Sequence, residues 1–82
     1  SHTAFTVTLL IEGRIAAEWV AVLESEVAAW LEAKTFVELD FASVSYVDEA
    51  GITLLRSFPK DRVRIGQCSA FIRVLLEISN LA

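Results

Sequence analysis

The chain has 82 residues, enough for one domain and too few for two. Apolar residues make up 55%, which argues for a packed core, while a net charge of −4 repels phosphate backbones and disfavours nucleic acid as a partner. A single cysteine, Cys68, and a single histidine, His2, exclude an internal disulfide and a cysteine metal cluster.

Ser1-His2 reads as the remnant of a cleaved expression tag, and neither a signal peptide nor an apolar run of membrane-spanning length is visible. One domain over residues 1–82, in the cytoplasm, is the expectation. Phe5, Val7, Leu9 and Ile11 alternate with Thr6, Thr8 and Leu10, a period of two that predicts a half-buried strand ended by Gly13. Ala16 to Ala33 carries helical spacing, with Val20, Leu23, Val27, Trp30 and Leu31 in one stripe and Glu18, Ser25 and Glu32 opposite. Trp19 and Trp30 flank that stripe, either as core-edge packing or, in one case, as an anchor for a partner.

A second strand is expected over Thr35 to Phe41, with Val37, Leu39 and Phe41 on one face, and then a loop over Ser43 to Val47. Asp48 suits a helix N-cap, accepting from the amide of Ala50 or Gly51. Its helix runs to Ser57 or Phe58, where Pro59 stops it. Val63 to Ile65 predicts a short third strand, turned by Gly66. Ser69 then caps a last helix that carries Phe71, Val74, Leu75 and Ile78 inward. Alternating strands and helices imply crossover connections and parallel strand pairs, covered better on one face than on the other.

Chemistry finds little purchase. Asp40, Asp48 and Glu49 are carboxylates in one neighbourhood, but a hydrolytic metal site wants more ligands and His2 is suspect. Ser43, Ser45, Ser57 and Ser69 have no histidine base to activate them. Neither a P-loop nor a dinucleotide turn is present. Cys68 reads more readily as a small buried hydrophobe than as a thiolate activated by the helix that follows. The expectation is a non-enzyme without cofactor or metal.

The stretch from Val37 to Leu55, VELDFASVSYVDEAGITLL, resembles the central signature of STAS domains, the sulfate-transporter and anti-sigma-factor-antagonist family. Asp40, Val44, Val47, Asp48, Gly51 and Leu55 fall where that pattern wants them. Leu9 to Gly13 upstream and Val63 to Gly66 downstream also fit, so the resemblance covers Phe5 to Leu81. It implies a STAS-like α/β fold: a mixed sheet of three to four strands, with three helices packed mainly on one face. It also implies a bacterial signalling module that binds another protein, such as an anti-sigma factor or serine-kinase-like regulator of transcription. The binding face would comprise Ser45, Tyr46, Asp48, Glu49, Ala50, Gly51 and Ile52, with Glu49 and Ile52 exposed.

Two departures narrow this picture. Family antagonists carry a phosphorylated Ser or Thr just before the motif glycine, and here Ala50 has no hydroxyl. The family's short extra N-terminal strand is also missing from the pattern. An adaptor subunit riding on the ATPase of an ABC-type membrane transport complex is therefore a second reading. A sensor holding a nucleotide or small anion at a helix N-terminus is a third, disfavoured because Arg56 is the nearest basic residue and lies two turns in. A homodimer is compatible with each.

Overall fold

A computed structural model describes residues 5–81; Ser1-His2 lies outside the described residues. The order is β1 (Thr6–Ile15), α1 (Ala17–Glu32), β2 (Phe36–Val47), α2 (Glu49–Ser57), β3 (Val63–Cys68) and α3 (Ala70–Ile78). The alternation read from sequence is thus correct. The strands form one sheet in the order β1-β2-β3, and both pairs are parallel. The expected mixed sheet is corrected on this point. Each helix carries the chain back to the end where the previous strand began, so each new strand enters in the same sense. Among the described residues no antiparallel strand joins them.

All three strands outrun their predicted ends. β1 continues through Gly13, which holds φ at +82° inside the strand and does not end it. Ser43 to Val47 is strand, not loop, and β3 runs past Gly66 to Cys68. The β1–β2 register shifts twice, between Leu10 and Glu12 and between Gly13 and Arg14. β2 has 12 residues against 10 in β1, so each shift inserts one extra residue into β2. Bulges of this kind break the period-two pattern that marks a strand in sequence while leaving the strand paired. They also re-aim side chains, and both Ser45 and Tyr46 end up exposed beside the second one.

The core lies on one side of the sheet. Val37, Leu39 and Phe41 of β2 are buried, and with them Leu23 and Val27 of α1, Leu54 and Leu55 of α2, and Ile72 and Leu76 of α3. The intervening residues of β2, Phe36, Glu38 and Asp40, face the other side and are only partly covered. There Arg64 and Glu38 meet at 3.2 Å, and the Glu38 carboxylate lies over Gly66, so a side chain at that position would have to push this flexible carboxylate aside. At the opposite end of the core, Arg62 donates to the carbonyls of Thr35 (2.8 Å) and Leu31 (3.4 Å), locking the exit from α1.

Helix ends follow their local chemistry. Ser69 caps α3, its hydroxyl accepting from the Ile72 amide at 3.2 Å. Both α1 and α3 finish with a left-handed residue, Lys34 and Asn80, each at φ +61°. Behind Lys34 the Thr35 amide reaches back to the Trp30 carbonyl, and behind Asn80 the Leu81 amide reaches the Leu76 carbonyl. This double closure is a Schellman motif at each end.

The inward face of α3 differs from expectation. Ile72 and Leu76 are buried and Leu75 half-buried, whereas Phe71, Val74 and Ile78 are exposed. The apolar residues of α3 span more than half the helix circumference, so spacing alone supports two different stripes. The sheet took the stripe centred on Ile72 and Leu76, and the remainder is left outside as an apolar strip. No helix among the described residues is long and apolar enough to cross a membrane.

Candidate functional site

The motif residues gather where β2 ends and α2 begins. Asp48 adopts the extended conformation of an N-cap, and its Oδ1 accepts from the Gly51 amide at 2.8 Å, as its sequence position predicts. Its Oδ2 accepts from the amide of Ala17 at 3.0 Å, and its own amide donates to the carbonyl of Ile15. Ala17 is the first residue of α1, whose own N-cap position is Ala16 and supplies no side-chain bond. One carboxylate therefore closes the start of two helices. Sequence gave no signal for the second bond, because the partners stand 31 positions apart.

Gly51 sits in the first turn of α2 against the sheet. A Cβ there would come within 2.7 Å of Val47 Cγ1 and 2.9 Å of the Ile15 carbonyl oxygen. The glycine is thus a packing requirement, letting the start of α2 lie directly on the ends of β1 and β2. That close approach explains a correction. Ile52, expected as an exposed docking residue, is 9% exposed and belongs to the core. α2 packs on α1 as well as on the sheet, so its buried arc is wider than a single-neighbour stripe and takes in Ile52 along with Gly51, Leu54 and Leu55.

What remains accessible is a smaller set. Ser45, Tyr46 and Glu49 are exposed, and Ala50 and Asp48 are half-buried. The Ser45 hydroxyl donates to the Gly13 carbonyl at 3.3 Å, and Thr53 donates to the Glu49 carbonyl within α2. Asp40 is not part of the group. It lies on the open face of β2, where its carboxylate accepts from the Ala42 amide at 2.9 Å. Among the described residues no three potential metal ligands converge.

Phe71 is the residue that sequence reasoning missed. The Tyr46 and Phe71 rings stack with centroids 6.4 Å apart and planes 23° from parallel. Both rings are substantially exposed, at 41% and 58%. Val74 and Ile78 continue the apolar strip along α3. The Tyr46–Phe71 pair and the strip along α3 are therefore an exposed aromatic and aliphatic surface, and Glu49, exposed in the first turn of α2, follows Tyr46 by three residues. The signal for Phe71 was the excess width of the apolar arc of α3, which left more apolar residues than one contact face can bury. No protein-family model matches the chain, and no curated protein matches it either.

Proposed function

We propose that this chain is a non-enzymatic docking module of STAS type that binds a regulatory protein in the bacterial cytoplasm. The observation that carries the proposal is the exposed Tyr46–Phe71 pair beside Glu49 and Ala50 at the start of α2. Aromatic side chains surrounded by a polar rim are the usual energetic centre of a protein interface, because they remove large apolar area from water at little entropic cost. Ala50 stands where the resembled family places a phosphorylated hydroxyl, so binding here is constitutive. The same feature favours a second reading, a fixed adaptor on a transport ATPase, for which no switch is needed.

The test is affinity for the partner recovered by affinity purification, with Tyr46→Asp, Phe71→Asp and Glu49→Lys compared against the parent. Each aspartate variant should weaken binding at least tenfold, about 1.4 kcal/mol, with an unchanged melting temperature. Glu49→Lys should act chiefly on association rate and its salt dependence, as a rim charge does. Full affinity in all three folded variants would remove the site from the interface. A recovered serine-kinase-like regulator supports the first reading and a transport ATPase the second. Incubation with such a kinase should leave Ala50 unmodified, whereas Ala50→Ser should accept phosphate there.

A further inference from the structure

Among the described residues β1 is an outer strand of the sheet with no strand on its other side, and that side is built for pairing. The Phe5 carbonyl accepts from the Phe36 amide at 2.8 Å, and the register then runs without interruption from Thr6 to Leu10. Backbone groups alternate in direction along a strand, so residues 7 and 9 turn theirs toward β2 and Thr6, Thr8 and Leu10 turn theirs outward. Natural edges are commonly blunted by charge, proline or a bulge. From Phe5 to Ile11 there is neither a charge nor a proline, and the first register shift comes only after Leu10.

Beside this edge runs a groove between β1 and α1, lined by Leu10 and Ile11 on one side and Trp19, Val22 and Leu23 on the other. Leu10 is 74% exposed, and Trp19 and Val22 are each 58% exposed. Three carboxylates, Glu12, Glu18 and Glu26, line the same groove against one guanidinium, Arg14.

We propose that β1 accepts an additional strand from a partner, an extended segment whose groove-facing positions, every second residue, carry both apolar side chains and Lys or Arg. The outward amides and carbonyls of Thr6, Thr8 and Leu10 fix its register, which is recognition by strand addition. Its apolar residues enter the groove beside Trp19 and Val22, and its cations answer Glu12, Glu18 and Glu26. A second copy of this chain fits worse, because pairing through β1 sets the same carboxylates of two chains, each with net charge −4, along one seam. The groove shares no residue with the Tyr46–Phe71 pair, although Tyr46 is the register partner of groove-lining Arg14, and either proposal stands if the other fails.

The probe is a synthetic peptide of about eight residues, a usual strand length, with valine and lysine taking turns at every second position and threonine between them, compared with its counterpart carrying glutamate for lysine. The lysine peptide should bind about tenfold or more tightly than the glutamate peptide at low salt, and less tightly as salt rises. It should shift Trp19 fluorescence and slow hydrogen exchange at Thr6, Thr8 and Leu10. Trp19→Ala and the pair Glu18→Lys with Glu26→Lys should each weaken it about tenfold, whereas Phe71→Asp should leave it unchanged. Thr8→Pro removes an outward donor without touching a β1–β2 bond and should abolish binding. Should that variant unfold, N-methylation of alternate peptide residues tests the same ladder from the other strand. Equal affinity for both peptides, no protection at the three amides, or loss of binding in Phe71→Asp would overturn the proposal. So would a dimer that protects the β1 amides without peptide.

Discussion

Asp48 binds the Gly51 amide with one carboxylate oxygen and the Ala17 amide with the other, so its loss should be felt in two helices at once. A single N-cap typically contributes about 1 kcal/mol. Asp48→Ala should therefore lower stability by about 2 kcal/mol in urea denaturation, and Asp48→Asn, which keeps one acceptor, by about half as much. Equal stability of Asp48→Asn and the parent would mean that the Ala17 bond contributes nothing. Gly51→Ala poses a sharper contest. Alanine gains about 1 kcal/mol of helix propensity over glycine. Its methyl group, however, must displace Val47 and the Ile15 backbone, and overpacking of this kind costs about 1–3 kcal/mol. A net loss is expected; a stabilised variant would show that the start of α2 can slide off the sheet. The roles of Asp48 and Gly51 at the start of α2 were legible in sequence because capping is local. Ile52 was not, since its burial depends on α1 lying alongside, and no residue near it in the chain announces that neighbour.

At the level of elements, α3 offers the clearest separation between core and surface. Ile72→Ala or Leu76→Ala should cost about 2–5 kcal/mol, the usual range for truncation of a buried aliphatic side chain. Val74→Ala and Ile78→Ala, one stripe away, should change stability by about 0.5 kcal/mol or less. Thermal melts of the four variants decide which stripe faces the sheet, and a large effect at Ile78 would return the helix to the orientation its spacing first suggested. Lys34, at φ +61° in the cap of α1, is a further test: Lys34→Gly should raise stability by about 1 kcal/mol by relieving the left-handed backbone. The start of all three helices, and the ends of α1 and α2, were visible in sequence to within a residue or so, since Asp48, Ser69 and Pro59 mark boundaries chemically. Strand ends were not. Ser43 to Val47 has the small polar residues of a loop, yet the two bulges let it stay paired with β1 while breaking the alternation by which a strand is recognised.

Across the whole molecule, β2 is the central strand, and its inward residues hold all three helices. Phe41 is fully buried there, and Phe41→Ala should cost about 3–5 kcal/mol. For a domain this small that is a large part of the total, so the variant should be substantially unfolded near body temperature by circular dichroism. Glu38→Ala should be nearly silent, because its Arg64 partner is 74% exposed and surface pairs contribute little. The alternation of elements, and hence the α/β class, was readable from periodicity. The sheet's parallel sense throughout was only half readable: crossover spacing called for parallel pairs, while the resemblance called for a mixed sheet.

The strand order β1-β2-β3 also has a geometric consequence for ligands. In open parallel sheets, small-molecule crevices form where the strand order reverses and neighbouring connections depart to opposite faces. Here each strand is added on the same side of the last, so among the described residues the order never reverses and the helices form a single layer. The carboxyl ends of the strands then meet a rim of helix starts, without the crevice that a reversal of strand order would open. A chain wound in one direction presents ridges and edges to its surroundings, and these are shapes that another polypeptide can grip.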